Sequence, residues 1–410
     1  MNKCKRKQHP LFWFMYVVLL IALATIITGC NNGGKIIEGA ITVPDQYTTI
    51  QEAIDAAVDG DVIVVRSGTY YEHINFNGKN VTLQSIDPDD PTVVEETIID
   101  AGGIGSAVIF KSGESELAVI TGFTITGGSG SMEILEFEIE GEMREIPSLY
   151  GGGILILNNS SPTISNNIII NNVAERGGGV FSYASSPSII NNTVSDNIST
   201  GGGGGIFIAN SAATVEDNVV KNNSAGRSGG DIAVSGEGDT PSIFAGNTVA
   251  DNRADSGGAF SIFESSPSIN NNNISNNSAI VDGGGFYLIK ASPQITGNNI
   301  SDNSAGPLGG GIAMFAESSV VLTDNSIIGN EADAGGGISI YSNSAPLISG
   351  NTLSDNRANL GGGIVINEES NPEISGNDIT GNYAERNGAA IFVQSSEPTI
   401  SGNNINNNEA

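Results

Sequence analysis

Residues 283–308 read GGGFYLIKASPQITGNNISDNSAGPL, and residues 309–311 are again GGG. In this 26-residue unit a Gly cluster precedes apolar residues two positions apart, Phe286 and Leu288, which is the period of a strand with one buried face. The unit recurs through residues 151–410 at intervals of 26, with one interval of 28 and one of 27. The first apolar position is Ile154, Val180, Ile206, Ile232, Phe260, Phe286, Ile312, Ile338, Ile364 and Ile391.

Two columns of asparagine accompany the apolar positions, because each unit continues as apolar-x-x-Asn-x-apolar-x-x-Asn. The first column is Asn167, Asn192, Asn218, Asn247, Asn272, Asn298, Asn325, Asn351, Asn377 and Asn403. The second is Asn172, Asn197, Asn223, Asn252, Asn277, Asn303, Asn330, Asn356, Asn382 and Asn408. Asn tolerates the left-handed backbone of a sharp bend, and stacked amides at strand spacing hydrogen-bond to one another. We therefore assign both columns to architecture rather than to glycosylation.

Three short strands in each unit, stacked unit on unit, predict an all-β protein: a right-handed parallel β-helix with three parallel sheets around one apolar core. The right-handed sense follows the rule for parallel crossovers. Residues 151–410 form ten coils, which span about 48 Å at strand spacing.

The N-terminus has the pattern of an export signal. Basic residues precede an apolar run from Leu11 to Ile27, which predicts a signal peptide over residues 1–29. The sequence ITGC (27–30) resembles the bacterial lipobox, so we expect Cys30 to carry lipid and residues 30–40 to form a lipid-anchored tether. The predicted location is the outer side of a membrane, at the cell surface or the periplasmic face.

Residues 41–128 predict the entry to the solenoid. The stretch TTIQEAIDAAV (48–58) has helical apolar spacing and predicts a short capping helix, followed by irregular first coils. Residues 129–150 interrupt the repeat with a Glu-rich insertion that we expect to project as a loop or hairpin.

The entry segment also carries a family resemblance. Its motifs are IQEAI (50–54), GD (60–61), GTYYE (68–72), KNVTL (79–83) and GFTI (122–125). They resemble the start of the pectin-lyase-like right-handed β-helix proteins, which implies the same fold over essentially all of the chain after the signal. That superfamily includes polysaccharide lyases, esterases, hydrolases, epimerases and adhesins, so the resemblance does not decide activity. Its lyases use Arg or Lys as the base, with calcium held by carboxylates.

Charge and composition exclude several classes of function. The formal net charge is −29, and it is −33 after residue 29, because four of the 16 basic residues and none of the 45 acidic ones lie in residues 1–29. Such a chain repels nucleic acid. His73 is the one histidine after the signal, which argues against a Ser-His-Asp triad or a His metal site. No cofactor is expected, although calcium is compatible with the acidic surface.

Catalytic candidates are therefore carboxylates and arginines in the loops that precede the Gly-cluster strands. They are Arg176, Arg227, Asp231, Arg253, Asp255 and Asp282. Solvated loop residues are the alternative reading. Ligand-binding candidates are the outward aromatic residues of the Gly-cluster strands, because aromatic faces stack on sugar rings. They are Phe181, Tyr183, Phe207, Phe263, Tyr287, Phe315 and Tyr341. Packing between coils is the alternative for this set.

Three functions follow as hypotheses. The first is a surface lipoprotein that binds extended polysaccharide or a surface partner along a sheet face without catalysis. The second is a calcium-assisted polysaccharide lyase or related carbohydrate-active enzyme, and the third is an adhesin or structural spacer. The sequence stops within a coil at Ala410, so we expect either that the chain is truncated there or that a cap or partner covers the open C-terminal end.

Overall fold

Apolar residues two positions apart bury one face of every short strand, and the strands stack into three parallel sheets. The computed structural model describes residues 38–139, 142–226, 230–236 and 241–410. In this part of the chain, about 14 turns form a right-handed parallel β-helix, which confirms the predicted fold class. Cys30, the predicted signal peptide and most of the predicted tether lie outside the described residues.

The three sheets are named here by size. Sheet A comprises Ile41–Val43, Val62–Val65, Thr82–Ser85, Val119–Thr121, Thr163–Ser165, Ser188–Ile190, Thr214–Glu216, Ile243–Ala245, Ser268–Asn270, Gln294–Thr296, Val321–Thr323, Leu347–Ser349, Glu373–Ser375 and Thr399–Ser401. Sheet B comprises Gly68–Tyr70, Thr97–Asp100, Thr124–Thr126, Ile168–Ile170, Thr193–Ser195, Val219–Lys221, Thr248–Ala250, Asn273–Ser275, Asn299–Ser301, Ser326–Ile328, Thr352–Ser354, Asp378–Thr380 and Asn404–Asn406.

Sheet C contains the strands that follow the Gly clusters. Its strands are Ile74–Asn75, Val108–Phe110, Ile154–Ile156, Val180–Tyr183, Ile206–Ala209, Ile232–Ser235, Phe260–Phe263, Phe286–Ile289, Ile312–Phe315, Ile338–Ile340, Ile364–Ile366 and Ile391–Val393. Shorter ladders lie between sheets B and C in the chain, at Val173–Ala174, Ile198–Ser199, Ser224–Ala225, Arg253–Ala254 and Ser278–Ala279, and at Arg357–Leu360 and Tyr383–Asn387.

The core is one continuous apolar column enclosed by the three sheets. The first apolar position of each Gly-cluster strand is fully buried from Ile154 to Ile364, and Ile391 is partly buried at the last coil. Register aligns identical positions of successive coils, such as Phe260 with Phe286, whose rings stack at 5.0 Å. This alignment is what the constant repeat length predicts.

The asparagine columns form buried ladders through the bends. Asn277 Nδ2 donates to Asn303 Oδ1 at 3.0 Å and to the Val249 carbonyl at 2.9 Å. The same Oδ1 of Asn303 accepts the backbone N–H of Asn277 at 3.0 Å. The left-handed backbone belongs to the residue before each ladder member, for example Asn276 with φ 56°. The expectation that the column residues themselves adopt that conformation is therefore wrong, and their amides instead satisfy bend groups that water cannot reach.

Two short helices lie in the entry segment. The helix Ile50–Ala56 is shorter than the predicted span, with Thr49 as its N-cap and with Ile50 and Ile54 fully buried in the core. It closes the N-terminal end of the apolar column as expected. A second helix, Pro91–Glu96, begins after Asp90 and was not predicted.

Candidate functional site

The Glu-rich insertion is an antiparallel hairpin that lies on the outer face of sheet C. Its strands are Ser131–Ile139 and Glu142–Tyr150, with Ser131 opposite Tyr150. Alternation turns Leu135 and Phe137 toward the sheet, while Met132 remains 63% exposed. A second apolar cluster therefore forms outside the core, from Leu135, Phe137, Tyr150, Leu155, Leu157, Phe181, Phe207, Ala209 and Ala233.

Polar contacts fix the hairpin at both strands. On the first strand, Lys111 pairs with Glu133 at 3.0 Å. On the second strand, the Glu175 carboxylate accepts the Ser148 hydroxyl at 2.6 Å and the Leu149 N–H at 3.1 Å. These hydrogen bonds, the Ser148 bond foremost, lower the pKa of Glu175. Both strands of the hairpin are therefore held against the outer face of sheet C.

The hairpin reduces the number of predicted aromatic residues that are accessible to a ligand. Phe181 is fully buried beneath the hairpin, so its prediction as a ligand-contacting residue is corrected: its ring packs on Tyr150 at 4.6 Å instead of facing solvent. Tyr183 is partly covered, and its hydroxyl donates to the Glu136 carbonyl of the hairpin. Phe207 is 5% exposed and shows only part of its ring at the hairpin's edge.

A groove of about 540 Å³ opens where the hairpin ends. It exists because Phe207 is followed, one coil at a time, by the small residues Ala233 and Ser261 before the next large residue, Tyr287. The hairpin forms one wall through Phe137 and Ile146. The remaining lining residues are Arg176, Phe207, Asn210, Ser235, Gly236, Ser261, Ile262, Phe263, Glu264, Tyr287 and Ile289.

Arg176 occupies the hairpin end of this groove. Its guanidinium carbon lies 5.6 Å from the Phe137 ring centre and 5.9 Å from that of Phe207. It also lines a second cavity of about 560 Å³, with Ile146, Pro147, Ser148, Glu175, Thr200, Gly201, Gly202 and Phe207. The two cavities therefore meet at this side chain.

An aromatic row continues beyond the groove along the solenoid. The ring centres of Tyr287 and Phe315 are 5.6 Å apart, and those of Phe315 and Tyr341 are 6.1 Å apart. All three side chains are partly exposed. Burial raises the pKa of Tyr287 and Tyr341, and the Asp282 carboxylate raises both further. Phe263 at the groove is 40% exposed. These four predicted aromatic residues lie on an accessible face, and their role in binding stays a prediction.

Asp231 is the predicted catalytic residue whose position differs most from expectation. Asp231 replaces the third Gly of its cluster. At the equivalent position one coil earlier, a Cβ on Gly205 would lie 3.2 Å from Asn223 Nδ2, so a side chain at this position points inward. Its carboxylate is buried, with Oδ2 accepting from Asn223 Nδ2 at 2.9 Å and Oδ1 unpartnered among the described residues. Desolvation raises the pKa of Asp231 to about 8. A residue enclosed by the core does not face a ligand on sheet C.

The other catalytic candidates do not converge on one point. Arg253 is exposed on a short loop strand, and Asp255 is partly exposed two residues later. Asp282 is partly buried beside the aromatic row, and burial raises its pKa. Arg227 lies outside the described residues. Of these candidates in the described part of the chain, Arg176 alone lines the groove, and no cluster there of three or more His, Cys, Asp and Glu could hold a metal ion.

Sequence reasoning missed most of the groove. Ser235, Ser261, Asn210 and Glu264 have no distinguishing pattern of their own. The small residues Ala233 and Ser261 are a signal that the sequence does contain, because they occupy the two coils between the aromatic residues Phe207 and Tyr287. The apolar alternation of the insertion is another, but the face it covers is known only from the structure.

The fold and the groove define a single-stranded parallel β-helix with a hairpin-walled outer face. The chain belongs to the family described as "Right handed beta helix region", whose profile matches residues 85–241, 198–345 and 232–408. No curated protein matches the sequence. Within the described residues, no helix is both long and apolar enough to cross a membrane.

Three solved structures resemble this chain at low identity. The siphovirus 9NA tailspike receptor-binding domain has 12% identity and a TM-score of 0.40, over 90% of this chain and 75% of that one. PfbA, a surface adhesin of Streptococcus pneumoniae, has 13% identity and a TM-score of 0.38, over 89% and 92%. A mannuronic acid specific polysaccharide family 6 lyase from human gut microbiota has 13% identity and a TM-score of 0.32, over 84% and 78%. Similarity at this level does not bear on activity.

Proposed function

We propose that the protein is an exported surface lipoprotein that binds an extended polysaccharide along the outer face of sheet C, without catalysis. The observation that carries the proposal is the groove of about 540 Å³, which opens beside the hairpin and continues into the aromatic row from Tyr287 to Tyr341. Export and lipid attachment rest on residues 1–30, whose pattern is that of a signal peptide over residues 1–29 followed by the lipobox residue Cys30.

The dimensions of the site favour a polymer. From the rung of Phe207 to that of Tyr341 the register advances five coils, which corresponds to about 24 Å at strand spacing. The parallel register of sheet C repeats the outward side-chain positions once per coil over this length. Partly exposed Phe263, Tyr287, Phe315 and Tyr341 supply ring faces for stacking, and Asn210 and Ser235 supply hydrogen-bonding groups.

The absence of catalysis is part of the proposal, and the distribution of charged groups supports it. General acid–base chemistry needs its groups within hydrogen-bond reach of one substrate. Asp231 is buried in the core, and Glu264, the carboxylate in the groove lining, pairs with Lys290 at 3.0 Å. Among the described residues of the groove lining, Arg176 is therefore left without a second catalytic candidate beside it.

The test is a panel of polysaccharides, incubated with and without calcium, in which retention and release of unsaturated sugars are both measured. We expect retention without product, and a Tyr287→Ala variant with about tenfold weaker affinity, because one aromatic contact contributes about 1.4 kcal/mol. Tyr71→Ala is the matched control, since Tyr71 is 76% exposed and lies in the entry segment. Unsaturated products would overturn the non-catalytic proposal, and equal affinities of the two variants would remove the groove as the site.

A further inference from the structure

Arg176 is a cation held against two aromatic rings. Phe137 and Phe207 flank its guanidinium within 6 Å, at 5.6 and 5.9 Å. Stacking of this kind uses the face of the group and leaves its in-plane N–H donors for a ligand. Among the described residues, no carboxylate lies within 4.0 Å of it, whereas Arg66 pairs with Asp45 at 2.7 Å and Arg357 with Glu385 at 3.9 Å.

The two acidic residues in the described linings of the cavities make other hydrogen bonds. The Glu175 carboxylate accepts two hydrogen bonds from the hairpin, from Ser148 and Leu149. The Glu264 carboxylate accepts a charged hydrogen bond from Lys290 at 3.0 Å. Neutral donors hold the Glu175 carboxylate and Lys290 pairs with Glu264, so neither carboxylate hydrogen-bonds to the Arg176 guanidinium, which lines both cavities of about 540 and 560 Å³.

We infer that Arg176 binds a single anionic substituent of the polysaccharide, a carboxylate, sulfate or phosphate, and that the polymer is sparsely charged. This inference rests on the proposed function. A planar guanidinium presents donors in a fork that matches two oxygens of such a group. The substituent reaches Arg176 at the hairpin end of the groove, while the neutral sugars that follow it extend over Ser235 and Ser261 toward Tyr287.

Sparse charge follows from the rest of the surface. In the described lining of the groove, Arg176 and Glu264 are the charged residues, and the acidic residue Asp282 lies beside the aromatic row beyond it. The whole chain carries a net charge of −29. A polymer with an anionic group on every sugar would gain one favourable contact and meet repulsion at its other groups. One anionic group among neutral sugars gains the contact without that repulsion.

The experiment uses the full-length protein and neutral cello-, xylo-, manno- and galacto-oligosaccharides. Each is compared with derivatives bearing one carboxylate, one sulfate or one phosphate, and with an oligogalacturonate of equal length. We expect one substituent to tighten binding about tenfold or more, since a hydrogen-bonded ion pair at a partly buried site has that strength. The preference for the charged derivative over its neutral parent should decrease as the sodium chloride concentration is raised. The oligogalacturonate should bind more weakly than the singly substituted ligand, and the substituent that binds best identifies the anion.

Arg176→Gln should reduce the preference for the charged derivative over its neutral parent to about one. This ratio separates anion binding from a structural role, because damage to the hairpin would weaken both ligands equally. Arg357→Gln is the matched control: Arg357 also lies over an aromatic ring, that of Tyr383 at 4.7 Å, but outside the groove. Binding of neutral ligands without a charge preference, or a preference retained by Arg176→Gln, would overturn the inference alone. Failure of every oligosaccharide to bind would overturn the proposed function with it.

Discussion

Substitution of Asp231 by Asn should stabilise the protein at neutral pH and leave it unchanged in acid. Asp231 is buried within the solenoid, and desolvation raises its pKa to about 8 from an ordinary value of 3.8. In the unfolded chain the group is ionised above pH 4, so folding at pH 7 takes up a proton. One pKa unit corresponds to about 1.4 kcal/mol, which makes this cost about 4 kcal/mol at pH 7.

The sign follows from proton binding. Between about pH 4 and pH 8 the folded protein holds a proton on Asp231 that the unfolded chain has lost, so stability decreases as pH rises through this window. Asn has nearly the shape of the protonated carboxyl group and keeps an oxygen to accept from Asn223, whose Nδ2 lies 2.9 Å from Oδ2. It has no proton to gain. The variant should therefore match the parent near pH 4 and exceed it by about 4 kcal/mol at pH 7.

The assay is urea unfolding followed by far-ultraviolet circular dichroism at several pH values. Trp13 lies within the predicted signal peptide, so tryptophan fluorescence does not report on the solenoid. Other carboxylates titrate in the same range, but their contribution cancels in the difference between variant and parent at each pH. A difference that stays constant from pH 4.5 to pH 8 would refute the reasoning, as would a variant less stable than the parent at pH 8.

Two further predictions concern the ladder and the hairpin. Asn277→Ala removes two donated hydrogen bonds and the acceptor used by Asn252, so the free energy of unfolding, measured in urea, should fall by about 3 kcal/mol or more. Asn273→Ser, on the outer face, should change this free energy little. Equal effects of the two substitutions would contradict a structural role for the ladder. Phe137→Ala removes a ring that packs between hairpin and sheet, so trypsin should cleave at the exposed Arg144 at least tenfold faster. Met132→Ala, on the exposed side of the hairpin, should leave that rate unchanged, and an unchanged rate in both variants would show that the hairpin is not held by this packing.

The repeat itself was readable from sequence because its signal is local and redundant. Strand period, Gly clusters and Asn positions recur in each coil, and a parallel stack is the arrangement that buries every apolar position at once. Constant repeat length also determines register, so Phe260 meets Phe286 without further information. The short capping helix was likewise visible in the spacing of Ile50 and Ile54.

The site depended on tertiary structure, because its parts come from segments that no local pattern relates. The Glu-rich insertion of residues 129–150 predicts a loop or hairpin, but not the face on which it lies. Its position buries Phe181, orients Arg176 and creates the groove wall. Asp231 is a second residue whose environment the sequence does not predict. An Asp next to a Gly cluster is equally compatible with a solvated loop and with the core, and only the inward direction of its Cβ in the structure shows that it is buried. The local repeat pattern is therefore sufficient to predict the solenoid and its core, whereas the long-range packing of one insertion controls which outer residues a ligand can reach.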